Sequence, residues 1–76
     1  MQTIGVLGAG AWGTALAATA KKAGRDVKVW ALEAEVAEAL SAGKGNPLFL
    51  PDIELPKMQA SSDMSILTDC KAILSV

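Results

Sequence analysis

Three glycines, Gly8, Gly10 and Gly13, fall at G-x-G-x-x-G spacing within GVLGAGAWGTALA, where an apolar run gives way to an alanine-rich one. Glycine weakens both strands and helices, so three at fixed spacing call for a backbone reason. A strand-to-helix turn supplies one for each. The first permits the tight bend, the second lets a pyrophosphate approach the main chain, and the third lets the helix pack close to the strand. Free N–H groups in the first helical turn, with the helix dipole, then favour negative phosphates. The competing reading is an ordinary glycine-rich turn. Context separates the two: a dinucleotide turn needs a strand before it, a helix after it and a second strand within about 30 residues.

That context is present. Thr3 to Leu7 is short, apolar and β-rich, and it ends on Gly8, which predicts a buried strand. Residues 11–23 read as a helix from their alanines and Leu16, with Lys21 and Lys22 at its negative end and Gly24 as a left-handed stop. DVKVW, Asp26 to Trp30, alternates as a second strand. Residues 33–42 place Val36, Ala37 and Leu40 on one face with acids in the first turn, so a second helix is expected, ended by Gly43. Residues 44–57 hold Pro47, Pro51 and Pro56 and read as an ordered loop whose Leu48, Phe49, Leu50, Ile53 and Leu55 require burial. A short strand is expected near 58–60, a brief helix capped by Asp63 through Leu67, and another buried strand over 72–76. Strands alternating with helices make an α/β fold, a Rossmann-like doubly wound parallel sheet, with the strand from Ala72 beside the first.

Length and charge set the bounds. A chain of 76 residues with a formal net charge of −1 suits one small domain or part of a larger one. At this size only about 60% of the unfolded surface is buried. Near-neutral charge gives no electrostatic reason to expect nucleic acid or an anionic membrane as partner. No apolar run approaches the roughly 20 residues of a membrane helix, and the opening MQTIGVLGAG lacks the basic start of a signal peptide. The single Cys70 allows no internal disulfide framework and suits a reducing cytoplasm. CKAILSV stops in mid-pattern, so residues 1–76 are expected to be the N-terminal part of a dinucleotide-binding domain, with further chain covering the last strand.

The remaining polar and aromatic residues offer little chemistry. An acid at the end of the second strand would bond the ribose 2′-OH of NAD, but Ala31 and Leu32 stand there and Glu33 comes slightly late. No Arg at 31–33 greets a 2′-phosphate, so NAD and NADP both stay open. Trp30 reads as core or adenine-side packing, and Trp12 as either cofactor contact or helix packing. Cys70 has no His in the chain to activate it and reads as inert burial. Asp63 and Asp69 read as capping and solvating the short helix. No metal-ligand cluster, proton-transfer pair or nucleophile is identifiable.

Taken together, IGVLGAGAWGTALA, GRDVKVWALEAEVAEAL and NPLFLPDIELP resemble the N-terminus of the bacterial-type NAD(P)-dependent glycerol-3-phosphate dehydrogenases. The resemblance spans nearly the whole chain, and G-A-W-G-T-A-L-A and N-x-x-F-L-P-x-x-x-L-P are its specific parts. SSDMSILTDCKAILSV is similar to the family's next segment. The resemblance implies reversible hydride transfer between NAD(P)H and dihydroxyacetone phosphate, giving sn-glycerol 3-phosphate for phospholipid synthesis in the cytoplasm. It implies that Gly8, Ala9, Gly10, Ala11, Trp12 and Gly13 hold the pyrophosphate, Ala11 and Trp12 through their backbone. Leu32 would lie near the adenosine ribose, and Phe49, in the 46–51 loop, would line the cofactor site. Leu32 stands where the family often has Arg or His, and Ala11 where Ser is common, which leaves the choice of NAD or NADP unsettled. The family's catalytic lysines and helical substrate-binding domain fall beyond Val76, so no catalytic residue is assigned. The small phosphorylated substrate would meet that other domain, and a homodimeric parent stays open. The alternatives are a dinucleotide-binding domain of another small-substrate reductase, or a nucleotide-sensing module.

Overall fold

The computed structural model describes residues 3–75. Strand β1 (Thr3–Leu7) leads into helix α1 (Ala11–Lys22), β2 (Asp26–Trp30), α2 (Ala34–Ser41), β3 (Gln59–Ser61), a single 3-10 turn (Met64–Leu67) and β4 (Ala72–Ser75). The four strands form one sheet in the order β3-β2-β1-β4, every pair parallel. The chain therefore adds strands to one side of β1, then crosses back to its other side. This is the α/β, Rossmann-like doubly wound arrangement expected from the sequence.

Register explains which residues form the core. Ile4 pairs with Val27 and Val6 with Val29, and in-register neighbours share a sheet face. On that face Val6, Val27 and Val29 meet Ala17 and Ala18 of α1 and Val36, Ala37 and Leu40 of α2 in one buried cluster. Alanine on α1 keeps that helix close to the strands, while α2 contributes the larger side chains. Ala23 and Ala42 cap the helix ends, and Gly24 and Gly43 follow at φ +85° and +76°, the left-handed stops the sequence predicts. β3 begins one residue later than expected. Met58 is buried, and its N–H donates to the Leu40 carbonyl at 3.1 Å, so it packs under α2 instead of joining the ladder.

Three expectations need correction. Among the loop apolars, Leu48, Phe49 and Ile53 are exposed, whereas Leu50 is half-buried and Leu55 packs against the core, so a buried asparagine shares the anchoring of the loop with hydrophobic contact. β4 takes its expected place beside β1, yet all four of its residues are exposed, since among the described residues β1 alone neighbours it in the sheet; Val76 lies outside the described residues. Asp63 does cap the short turn, accepting from the Ser65 N–H at 3.0 Å. Asp69 instead reaches across to Lys28 of β2, at 2.8 Å. No helix among the described residues is long and apolar enough to cross a membrane.

Candidate functional site

The β1–α1 connection carries the candidate site. Gly8 sits at φ +116°, a conformation open to glycine and costly for other residues. Its N–H donates to the Trp30 carbonyl at 3.0 Å, which ties the turn to the end of β2. At Gly13 a Cβ would run into the Gly8 carbonyl oxygen and sit 3.1 Å from the Gly8 carbonyl carbon, so α1 can lie this close only with glycine there. At Gly10 a Cβ would meet nothing within 4 Å, so that position faces open space. Gly8 and Gly13 thus have separate structural reasons to be glycine, and Gly10 leaves open space.

Gly10 is the N-cap of α1 and supplies no side-chain cap. The first intrahelical bond runs from the Thr14 N–H to the Gly10 carbonyl at 2.9 Å. Helix geometry leaves the N–H groups of Ala11, Trp12 and Gly13 without an intrahelical acceptor. Gly8, Gly10, Ala11, Trp12 and Gly13 line a hollow of about 220 Å³, and none of them carries a charged side chain. Neutral walls, backbone donors and the positive end of a helix dipole favour an anion. Larger cavities exist, one of about 680 Å³ beside Lys21, Lys57 and Met58. That one lies against the last turn of α1, away from the carboxyl ends of the strands where ligands of open α/β sheets bind. Volume therefore does not pick the site; donor chemistry does.

The predicted residues divide into two groups. Gly8, Gly10, Ala11, Trp12 and Gly13 come together around the hollow. Ala9 turns its methyl group into the core and is 4% exposed. Trp12 is 77% exposed within the described residues and stands beside the hollow. Leu32 and Phe49 are exposed and line no part of the hollow. Glu33 serves as the N-cap residue of α2, its carbonyl accepting from the Val36 and Ala37 N–H groups. Trp30 is half-buried and its indole N–H donates to the Ser62 carbonyl at 3.0 Å.

Two residues that sequence reasoning missed hold the turn in shape. Asn46, 1% exposed, donates through Nδ2 to the Ala9 carbonyl at 2.9 Å and to Thr14 Oγ1 at 2.8 Å. Its Oδ1 accepts from the Phe49 N–H at 3.1 Å. Thr14, fully buried, donates its hydroxyl to the same Ala9 carbonyl at 3.2 Å. Both residues lie in the stretches that carry the family resemblance, Thr14 in G-A-W-G-T-A-L-A and Asn46 at the head of N-x-x-F-L-P, but asparagine before proline reads more simply as a turn.

Comparison with known proteins now bears on this geometry. Residues 3–76 match the family model described as NAD-dependent glycerol-3-phosphate dehydrogenase N-terminus. The chain belongs to that family. It is 54% identical over 76 residues to a glycerol-3-phosphate dehydrogenase (NAD(P)+) of Maricaulis maris, covering 99% of this chain and 23% of the relative. A protein of the same name from Paramagnetospirillum magneticum is 47% identical over 77 residues, covering 100% of this chain and 28% of the relative. The crystal structure of glycerol-3-phosphate dehydrogenase from Coxiella burnetii superposes with a TM-score of 0.82 at 33% identity, over 97% of this chain and 23% of that one. The chain thus spans about a quarter of the length of these relatives. The family expected from the glycine turn and the F-L-P loop is the family found.

Proposed function

We propose that the glycine turn binds the pyrophosphate of NAD or NADP, and that residues 1–76 form the N-terminal part of the dinucleotide-binding domain of a glycerol-3-phosphate dehydrogenase. The observation that carries this is the hollow at the start of α1, where backbone donors face a space that glycine keeps open. In this reading Gly8, Gly10 and Gly13 shape the turn, and Ala9 anchors it from behind. Ala11 and Trp12 offer N–H groups to the phosphates. Leu32 stands beside the adenosine ribose and Phe49 at the rim of the cofactor site.

A nicotinamide cofactor held there would supply the hydride that, together with a proton, converts dihydroxyacetone phosphate to sn-glycerol 3-phosphate. The residues of this chain hold and orient the cofactor. No residue of this chain is assigned to the phosphorylated substrate or the proton donor, and the product would feed phospholipid synthesis in the cytoplasm. The full-length gene product should oxidise NADH or NADPH only when dihydroxyacetone phosphate is added, read by the loss of nicotinamide absorbance. The ratio of the two rates gives the cofactor preference that Leu32 and Ala11 leave open. Binding of both cofactors with oxidation of neither would sink the dehydrogenase reading and keep the dinucleotide site.

A further inference from the structure

The Asn46 carboxamide makes three hydrogen bonds in a space sealed from solvent, and their targets lie in three segments: the glycine turn, α1 and the 46–51 loop. We infer that Asn46 and Thr14 are a positioning pair that fixes the Ala9–Gly10 peptide and thereby aims the Gly10 N–H at the ligand phosphate. This inference rests on the dinucleotide reading of the site.

The described residues contain no cis peptide bond, and in a trans peptide the carbonyl of one residue and the N–H of the next point in opposite directions. The Ala9 carbonyl is drawn inward by two donors, Asn46 Nδ2 at 2.9 Å and Thr14 Oγ1 at 3.2 Å. The Gly10 N–H is therefore turned away from the buried pair. It donates to no protein acceptor among the described residues, and Gly10 itself lines the hollow. Without the pair the Ala9 carbonyl would be left buried and unsatisfied, and rotation of the peptide would relieve it. That rotation would point a carbonyl oxygen where an anion should sit. Thr14 is suited to the task because its hydroxyl accepts from Asn46 while donating to Ala9. The same amide holds the Phe49 N–H, so one side chain sets both the turn and the loop beside it.

The test measures NADH affinity and the separate KM values for NADH and dihydroxyacetone phosphate in the full-length protein. Thr14→Val, which keeps the shape and removes the hydroxyl, should weaken NADH binding about tenfold or more and leave the KM for dihydroxyacetone phosphate unchanged. Thr14→Ser should rescue affinity to within about twofold of wild type. Val36→Ala, which opens a cavity on α2 and removes no hydrogen bond of the pair, should lower thermal stability without changing NADH affinity. If Thr14→Val loses no more affinity than Val36→Ala, or if Thr14→Ser fails to rescue, the positioning role is wrong while the site stands. Should Thr14→Val not fold, Asn46→Asp, which replaces the donor with an acceptor in the same shape, is judged by the same comparison. A wild-type protein that binds neither NADH nor NADPH overturns the functional reading and this inference together.

Discussion

The two faces of the sheet are held by different forces. One carries Val6, Val27 and Val29 under both helices and is close-packed around Leu40 and Met58. The other bears Gly5, Lys28 and Trp30, in register with the first face but pointing away from it. It has the short 3-10 turn and polar contacts, Lys28 to Asp69 and the Trp30 indole to the Ser62 carbonyl. Burial per residue separates them, since apolar area removed from water contributes about 25 cal/mol per Å² whereas an exposed ion pair contributes little. Among the described residues, the helix-covered face thus supplies the large buried cluster and the opposite face Leu67 and the polar contacts.

Three experiments would break or sharpen that contrast. The largest effect is expected from Gly13→Ala, whose methyl group meets the Gly8 carbonyl and must push α1 off the covered face. Both dinucleotide affinity and the thermal midpoint should fall steeply, and an unchanged midpoint would show that α1 is not seated by close approach. Next, Leu40→Ala on the covered face should cost about 2–5 kcal/mol in chemical denaturation. Leu67→Ala, on the opposite face, should cost clearly less; equal losses would erase the distinction. The smallest effect belongs to Asp69→Asn. The Lys28 hydrogen bond holds the Asp69 carboxyl below its ordinary 3.8, and the same bond raises Lys28 above 10.5. The carboxylate's contribution is present above its unfolded value and fades as pH falls through the lower folded value. The lysine's contribution is present below its unfolded value and fades as pH rises through the higher folded one. The difference in midpoint between wild type and Asp69→Asn should therefore be small and flat at neutral pH, vanish in acid, and shrink with added salt.

What was legible in the sequence follows the same line. β1, β2 and both helices could be read nearly to the residue, because alternation, alanine content and stop glycines are local signals. The place of β4 followed from the doubly wound pattern. Leu48, Phe49 and Ile53 were misread because an apolar side chain was taken to need burial, whereas the loop is also tied down through Asn46. Asp69 was misread for a related reason: its partner lies 41 residues away, and a cap three or four residues away was the nearer explanation. Within the site, the glycine turn was legible from its spacing together with the strand before it and the helix after it. The pair that orients their peptide was not, since asparagine before proline reads as a turn wherever it stands.

The bond from Asn46 to the Ala9 carbonyl spans 37 residues. A synthetic peptide carrying the whole G-A-G-A-W-G stretch, or the same stretch grafted onto another strand and helix, would contain every glycine and lack the group that turns the Ala9 carbonyl inward. The signature is contiguous on paper, but its working shape belongs to two βα units at once and cannot be transplanted as a cassette.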